Sequence, residues 1–403
     1  MKILQINAVN RFGSTGGTCK ELENYINQTK ENICYTAFSV GQRQEHEYRI
    51  GSNFDRKLHA LLSRLTGRQG WFSVGATRRL LRYMDNLQPD VVHLRNLHGN
   101  YINFPMLMKY LAKKDIATVV TLHDCWFYTG KCCHYTVEKC RKWETGCFDC
   151  PRLRKDNVSW FVDVTDKVWR KKKALFEKLP RLVVVGVSEW VTQDAQQSFL
   201  QCAKKIMRIY NWIDLDTFQR KGNMEELRKV YAPGGERIVL GVASGWSKSK
   251  GLHDFLKLAE LLGETYKICL VGHMPEGIEL PQNVCHIPTT NSPEALAELY
   301  SMADVFVTLS AEETFGKVSA EALACGTPVV CYDSTANREL VGQGCGSVCA
   351  LGDLRGVAEA VQTVCQKKDG EMSARCRVFA EENFSKEQRI QDYLSLYEEM
   401  MRW

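Results

Sequence analysis

The sequence predicts an α/β protein built from two doubly wound, Rossmann-like domains in series. Short apolar segments of strand length alternate with stretches of helical periodicity from one end of the chain to the other. Strands that are apolar on both faces and alternate with helices are typical of parallel sheets covered by helices on both sides. The 403 residues exceed what one hydrophobic core usually supports, so two such domains are expected.

The predicted elements fall into two sets that meet near residues 211–216. Strands of the first set are expected at residues 2–8, 90–94, 117–122 and 182–187. Strands of the second set are expected at residues 237–243, 266–271, 304–309 and 328–332, with helices at residues 252–262 and 293–302. The expected domains are therefore residues 1–212 and 213–384. Because ligands of doubly wound sheets lie beyond the carboxyl ends of the strands, two such domains facing each other would share a cleft.

The charge of the chain is divided between these halves. Residues 1–212 carry 34 basic and 19 acidic side chains, a net charge of +15, whereas the remaining 19 basic and 28 acidic side chains give −9. A basic first half favours an anionic surface or ligand as its partner. A solvated charged surface with no such partner is the alternative.

The composition also indicates the cellular compartment in which we expect the protein. The sequence contains no run of 18 or more apolar residues, so no transmembrane helix is expected. The first seven residues have the pattern of a strand and lack the basic and apolar regions of a signal peptide. We therefore expect a cytoplasmic protein, in which most of the 17 cysteines are free thiols or metal ligands.

The most informative segment is residues 312–328, directly after the predicted strand at 304–309. Glu313 is expected to end a loop, and Gly316 lets the backbone approach a ligand closely. The helix that follows presents backbone N–H groups at its start, which favour an anion. Glu321 lies inside that helix, eight residues after Glu313. Two carboxylates so placed can hold hydroxyl groups at both ends of an extended ligand.

This segment resembles the E-x7-E signature of the family 4 retaining glycosyltransferases, which have the GT-B fold. Its flanks, Glu-Thr-Phe-Gly and Glu-Ala-Leu-Ala-Cys-Gly-Thr-Pro-Val-Val, resemble the family as well. The resemblance implies that Glu313 contacts sugar hydroxyls and that Glu321 holds the ribose of a nucleotide-sugar donor. It further implies that the backbone of four residues contacts the sugar and the phosphate of the donor. These residues are Phe315, Gly316, Lys317 and Val318. An ordinary loop-helix-strand unit with solvated glutamates is the alternative.

A second resemblance to the family lies in the strand-to-helix turn that opens the second domain. There the family neutralises the donor diphosphate with an Arg and a Lys that stand five residues apart. Lys250 occupies the Lys position, but Gly245 stands where the Arg is usual. Lys248 is the candidate substitute, although as a point charge rather than a planar fork. By the same resemblance, Thr290 and Asn291 border the nucleobase.

Three features of the first domain and the last segment resemble the family too. A glycine cluster that includes Gly16 and Gly17 follows the first strand, where glycine loops approach phosphates or sugars closely. The cluster departs from the dinucleotide G-x-G-x-x-G pattern, so a nicotinamide cofactor is not expected. His123 follows the predicted strand at 117–122, and in the family a His here lies beside the donor sugar. The family also returns a final helix to the first domain, for which residues 385–403 are the candidate.

Six cysteines crowd into residues 125–151, which resemble an insert found in a subset of the family. Four thiolates in this range can hold a structural Zn²⁺, and only the last two have the tight C-x2-C spacing. Packed free thiols and disulfides are the alternatives, the disulfides being disfavoured by the expected compartment. The candidate zinc ligands are Cys133, Cys140, Cys147 and Cys150.

A basic amphipathic segment over residues 54–65 is the candidate for the acceptor side. Such helices often lie on membranes and equally often pack on a core. Residues 170–173 add further positive charge. We expect peripheral attachment to an anionic membrane surface on the cytoplasmic side, where a lipid-linked acceptor is presented. Nucleic acid is not an expected partner, because no stacking motif or recognised module accompanies the charge.

Taken together, the resemblance implies a retaining glycosyltransferase that moves a sugar from a UDP- or GDP-sugar to a saccharide or lipid-linked acceptor. The product would be a cell-surface polysaccharide or glycolipid, with His123, Glu313 and Lys250 as the expected catalytic residues. No Asp-x-Asp motif stands in a suitable place, so no catalytic divalent ion is expected. The alternatives are a non-catalytic GT-B scaffold or partner subunit, with Gly245 as a sign of decay, and a hydrolase on the same fold.

Overall fold

A computed structural model describes residues 1–28, 31–222 and 224–403. The chain divides into two compact units, of which the first comprises Met1–Ile209 and Ile390–Trp403 and the second comprises Tyr210–Arg389. Each unit is a parallel sheet with helices, which confirms the predicted α/β class with two Rossmann-like domains. The division falls three residues before the expected boundary, and most of the last helix groups with the first unit.

The first unit is built on a seven-stranded parallel sheet in the order β3-β2-β1-β4-β5-β6-β7. Its strands are β1 (Lys2–Val9), β2 (Ile33–Val40), β3 (Glu47–Arg49), β4 (Val91–Leu94), β5 (Ala117–Leu122), β6 (Leu182–Gly186) and β7 (Lys205–Arg208). Its helices are α1 (Gly13–Gln28), α2 (Asn53–Thr66), α3 (Val74–Leu87), α4 (Phe104–Lys114), α5 (Thr165–Phe176) and α6 (Glu189–Gln197). The strand order reverses between β1 and β4, so the carboxyl ends of these strands and of β5 are where a ligand is expected.

The second unit contains a six-stranded parallel sheet in the order β10-β9-β8-β11-β12-β13. Its helices are α7 (Glu225–Tyr231), α8 (Leu252–Leu262), α9 (Pro293–Met302), α10 (Lys317–Ala324), α11 (Leu354–Lys367) and α12 (Gly370–Phe384). Its strands are β8 (Arg237–Gly245), β9 (Tyr266–His273), β10 (Val284–Ile287), β11 (Val305–Thr308), β12 (Val329–Asp333) and β13 (Gly346–Ala350). Here the order reverses between β8 and β11.

The last helix, α13 (Lys386–Met401), packs its apolar face on the sheet of the first unit. The hydroxyl of Tyr397 lies 2.7 Å from Nδ1 of His93 on β4, and the hydroxyl of Tyr393 lies 3.0 Å from Oγ1 of Thr121 on β5. Both tyrosines are buried, so these hydrogen bonds satisfy polar groups that water does not reach. Across the described ranges 1–28, 31–222 and 224–403, every helix is too short or too polar to span a bilayer.

Candidate active site

The turn between β8 and α8 carries the cation that the sequence singled out. Gly251 caps α8 with a φ of 77°, and a Cβ at this position would lie 2.5 Å from the carbonyl oxygen of Leu309. Only glycine fits so close to the end of β11. The adjacent Lys250 consequently sits beside the β11 loop, where its Nζ donates to Oε1 of Glu313 at 2.5 Å. The structure therefore joins two predicted site residues, 63 positions apart, at the point where the strand order reverses.

The loop that bears Glu313 is held by the segment after β12. The backbone N–H of Glu313 donates to Oγ1 of Thr335 at 2.9 Å, and Nδ2 of Asn337 donates to the carbonyl oxygen of Ser310 at 3.0 Å. Gly316 then caps α10 with a φ of 91°, where glycine is favoured. This loop therefore enters α10 with its direction fixed, and the first N–H groups of α10 are available to an anion.

Glu321 lies inside α10 and is almost fully buried. Its Oε2 accepts a hydrogen bond from the hydroxyl of Tyr300 on α9 at 3.0 Å. Burial raises the pKa of Glu321, while the charge of Lys317 and the Tyr300 hydroxyl act in the opposite direction. A carboxylate offers about four lone-pair positions, so one bond to Tyr300 leaves Glu321 able to accept from ligand hydroxyls.

Among the other residues predicted to bind the donor, Phe315 has a structural role, and the rest are described by their position in the fold. Phe315 is buried and stacks edge-to-face on Phe384, with ring centroids 5.5 Å apart, so its side chain is part of the core. Lys248 is exposed, and Gly245 ends β8. Lys317 and Val318 form the first turn of α10, whereas Thr290 and Asn291 lie in the connection between β10 and α9.

In the first unit, His123 directly follows β5, as the sequence indicated. Burial lowers the pKa of His123 to about 3, and the guanidinium of Arg95 acts in the same direction. The imidazole is therefore neutral at physiological pH. Its Nε2 is buried and finds no hydrogen-bond partner among the residues that the structure describes. A buried polar atom of this kind is expected where a ligand or water completes the site.

Sequence reasoning missed Arg95, the residue directly after β4. Its side chain is only 1% exposed, and its Nη1 donates to Oγ1 of Thr18 at 3.0 Å. Its Nε and Nη2 are buried and have no hydrogen-bond partner within the described part of the chain. A buried cation with unsatisfied donors is costly unless an acceptor completes it. The rule that selected His123, a polar residue at the carboxyl end of a central strand, applies equally to Arg95.

The glycine cluster of the first unit is helical, not a loop. Helix α1 begins at Gly13, so Gly16 and Gly17 lie in its first two turns. A Cβ at Gly16 would approach Cγ2 of Val9 at 2.9 Å, whereas one at Gly17 would meet no described atom within 4 Å. Gly16 is therefore required by the packing of α1 on β1. The expected glycine loop is therefore the start of a helix, and the close approach of Gly16 and Gly17 to a ligand stays a prediction.

Cys133 does not line the cavity that the other predicted zinc ligands line. Its Sγ lies 3.9 Å from Nε2 of His98, which is also 2.7 Å from Oδ2 of Asp124. The three ligand atoms lie within 4.8 Å of one another, but the Asp124–His98 ion pair already accounts for their proximity. We assign no metal to this group. The three other predicted cysteines share a small cavity with Cys132 instead.

Two protein families match the chain, one on each unit. Residues 35–217 match the family described as Glycosyltransferase Family 4, and residues 223–383 match the family described as Glycosyl transferases group 1. Together these matches cover every strand except β1 and the start of β2, and they include Lys250, Glu313 and Glu321.

Two curated relatives each match part of the chain. N-acetyl-alpha-D-glucosaminyl L-malate synthase of Bacillus anthracis is 29% identical over 233 residues, which are 55% of this chain and 60% of that protein. The putative colanic acid biosynthesis glycosyl transferase WcaC of Escherichia coli K12 is 23% identical over 77% of each chain. The aligned region thus spans less than two thirds of the first of these relatives.

Solved structures share the fold over nearly the whole chain. Sucrose-phosphate synthase of Thermosynechococcus elongatus superposes with a TM-score of 0.72 at 15% identity, covering 100% of this chain and 99% of that one. Anabaena HepE in complex with UDP superposes with a TM-score of 0.67 at 16% identity, covering 99% and 100%. From the two family matches and this shared architecture, the chain belongs to the family 4 glycosyltransferases of the GT-B fold.

Proposed function

We propose that this chain is a retaining glycosyltransferase whose nucleotide-sugar donor binds to the second unit. The observation that carries the proposal is the Lys250–Glu313 pair beside the N-terminus of α10, at the reversal point of the sheet. The cation and the N–H groups at the start of a helix suit the diphosphate of such a donor. The two carboxylates, which lie within nine residues of sequence, suit the hydroxyl groups of its sugar and its ribose, and Glu321 is the candidate for the ribose.

The chemistry of transfer explains why these groups belong together. The bond between the anomeric carbon and the donor phosphate breaks, and negative charge develops on the leaving diphosphate. Lys250 and the N–H groups at the start of α10 stabilise that charge, because both are fixed in place before the reaction. Glu313 positions the sugar through its hydroxyls and shares the ammonium of Lys250. In the first unit, His123 is proposed as a catalytic residue whose neutral imidazole is free to form a hydrogen bond through Nε2.

The donor is proposed to be a UDP- or GDP-sugar. Anabaena HepE was solved with UDP and glucose, which supports a uridine nucleotide. A GDP-mannose-dependent alpha-mannosyltransferase of Mycobacterium tuberculosis is 31% identical over 147 residues, which supports a guanosine nucleotide. Relatives named for colanic acid and O-antigen synthesis support a saccharide or lipid-linked acceptor in cell-surface polysaccharide or glycolipid synthesis. We propose that no divalent ion takes part in the transfer.

We further propose that the first unit attaches to an anionic membrane surface through α2. The helix exposes an apolar stripe at spacings of four, three and four residues, consisting of Phe54, Leu58, Leu61 and Leu65. Residues 160–162 add exposed apolar surface beside the end of α2, where the N–H of Trp160 donates to the carbonyl oxygen of Arg64 at 2.8 Å. Basic side chains at Arg56, Lys57, Arg64 and Arg68 accompany this stripe and complement anionic headgroups.

One part of the expected basic surface is corrected by the structure. Lys172 is fully buried, and its Nζ lies 3.5 Å from the ring centroid of Trp126. Its ammonium also donates to the carbonyl oxygen of Thr129 at 3.1 Å. Helix α5 therefore contributes only the exposed members of its basic run, Arg170, Lys171 and Lys173, to the surface charge.

The test is turnover with a panel of UDP- and GDP-sugars labelled in the sugar, with membranes or a polysaccharide extract as the acceptor. The proposal predicts label transfer that depends on one donor and on the acceptor, and that Glu313→Gln reduces sharply. Release of nucleoside diphosphate at the full rate without acceptor would favour a hydrolase. Absence of turnover together with absence of nucleotide binding would favour a non-catalytic scaffold.

A further inference from the structure

Four cysteines line one small cavity in the long connection between β5 and α5. They are Cys132, Cys140, Cys147 and Cys150. Residues 123–164, all of them described, contain a single 3₁₀ turn at Lys142–Glu144 and no other helix or strand. Connections of this length without regular structure are uncommon in compact domains. Something other than a backbone ladder must hold this segment in place.

The sulfurs of one pair, Cys132 and Cys150, are spaced as two ligands of one zinc ion would be and not as a disulfide. Sγ of Cys132 and Sγ of Cys150 lie 3.7 Å apart. Zinc bound to thiolates at about 2.3 Å in a tetrahedron separates each pair of sulfurs by about 3.8 Å. A disulfide would place the two sulfurs about 2.05 Å apart.

Two of these four thiols accept hydrogen bonds from backbone N–H groups. The backbone N–H of Gly130 donates to Sγ of Cys147 at 3.2 Å, and the backbone N–H of Arg152 donates to Cys150. Donors aimed at sulfur are characteristic of the shell around metal-bound thiolates, because they offset the negative charge on the ligand. Gly130 precedes the four cysteines in the sequence and Arg152 follows them, so these donors come from both sides of the cluster.

Two buried lysines supply the opposite charge. Lys131 donates through Nζ to the carbonyl oxygens of Arg152, Leu153 and Lys155, at 2.7 to 3.0 Å. The Lys131 ammonium interacts electrostatically with Cys132, Cys150 and the neighbouring Cys133, and that of Lys172 with Cys147, Cys133 and Cys132. A zinc ion with four thiolates carries a net charge of −2, so two neighbouring ammonium groups neutralise it.

We propose that Cys132, Cys140, Cys147 and Cys150 bind one structural Zn²⁺, and that Cys133 does not. The ion would hold the connection between β5 and α5 together with aromatic contacts, such as Trp143 against Tyr128 at 5.1 Å, and with the hydrogen bonds of Lys131. All four positions are taken by protein ligands, as in structural rather than catalytic zinc sites. The proposal is independent of the proposed function, because the ion has no part in sugar transfer.

The test is zinc content of the purified full chain, measured by mass spectrometry, with single cysteine-to-serine variants. Wild type and Cys133→Ser are expected to hold about one zinc per chain, and Cys132→Ser at least about tenfold less. Cys133→Ser is the matched control, because it removes the neighbouring thiol of the same segment. Zinc lost from Cys133→Ser and retained in Cys132→Ser would overturn the ligand set.

A second measurement guards against variants that fail to fold. Wild type exchanged with Co²⁺ should show the visible absorption of a tetrahedral cobalt thiolate, and Cys140→His should keep the metal with a shifted spectrum. Cys133→Ser should leave the spectrum unchanged. A wild-type chain that binds neither ion, or that carries a Cys132–Cys150 disulfide when thiols are counted without reductant, would overturn the proposal.

Discussion

The Nζ of Lys250 and Oε1 of Glu313 lie 2.5 Å apart, joining the loops at the carboxyl ends of β8 and β11. Both side chains remain partly exposed, at 35% and 18%. The ion pair therefore keeps a cation at the reversal point of the sheet without removing it from solvent. In our account the donor diphosphate shares this ammonium with Glu313.

Replacement of Lys250 tests that sharing directly. Lys250→Met should weaken binding of the nucleoside diphosphate about ten- to hundredfold, because a charge-assisted hydrogen bond is lost. Lys257→Met, which removes an exposed lysine of α8, is the control and should change affinity far less. The readout is calorimetric titration. Equal losses in the two variants would contradict a specific role for Lys250, and Lys250→Met/Glu313→Gln shows whether an unpaired Glu313 causes the loss.

Gly245 offers a gain-of-function test. A Cβ built at this residue would meet no described atom within 4 Å, so a long side chain can be accommodated. Gly245→Arg should restore the second cation of the family's diphosphate clamp and tighten nucleoside diphosphate binding about three- to tenfold. Gly245→Gln has comparable reach without charge and should bind as the wild type does. Unchanged or weaker binding by Gly245→Arg would argue against a diphosphate beside β8.

The neutral state of His123 has consequences for pH. Because its folded-state pKa of about 3 lies below the ordinary histidine value of 6.5, the unfolded chain binds more protons than the folded chain as pH falls below about 6.5. The contribution of His123 to the free energy of unfolding therefore decreases from there towards pH 3. Between about pH 5 and 8, protonation of His123 should therefore not change the rate of turnover.

Titration of His123 by NMR checks this electrostatic account. Arg95→Met removes the neighbouring guanidinium and should raise the pKa of His123, while burial still holds it below 6.5. A His123 pKa at or above 6.5 in the wild type would contradict the neutral imidazole. An unchanged pKa in Arg95→Met would show that the two groups are not coupled.

Membrane attachment predicts a specific loss from exposed aromatic residues. Phe54 and Phe161 are 74% and 72% exposed in the first unit. Phe54→Ser/Phe161→Ser should reduce co-sedimentation with anionic vesicles about tenfold or more, since each ring contributes about 1.5–3 kcal/mol when buried. Val230→Ser, at a residue 70% exposed in the second unit, is the control. Vesicle binding that depends neither on lipid charge nor on salt concentration would contradict the proposal that the α2 surface contacts the membrane.

Much of the fold was readable from the sequence because its central strands are continuously apolar. The bounds of β5, α8 and α9 match the predicted residues, whereas β2, β3, β7, β10 and β13 were not predicted. Strand β2 (Ile33–Val40) mixes Tyr, Thr and Ser with apolar residues, and β3 has only three residues. Such short or partly polar strands are stabilised by pairing with a neighbour, a tertiary contact that no local pattern carries.

The candidate site was predictable only where residue type and position coincide. Glu313, Glu321 and Lys250 lie at strand ends or helix starts in a recognisable order, but the pairing of Lys250 with Glu313 spans 63 residues. Arg95 was missed because an arginine is expected at the surface, and its burial depends on Thr18, 77 residues away. Cys133 was predicted with the other zinc candidates, but its Sγ lies 3.9 Å from Nε2 of His98, a contact across 35 residues that spacing alone does not specify.

The most direct test of the central claim is nucleotide binding by the wild type and by Glu321→Gln. Glutamine keeps an acceptor for the hydroxyl of Tyr300 but removes the charge of the carboxylate. One of UDP, GDP and ADP should stabilise the wild type by about 2.7 kcal/mol at about 100 times its Kd, and Glu321→Gln should lose most of this gain. A wild-type chain that no nucleotide stabilises, or a Glu321→Gln variant stabilised equally well, would contradict a donor site in the second unit.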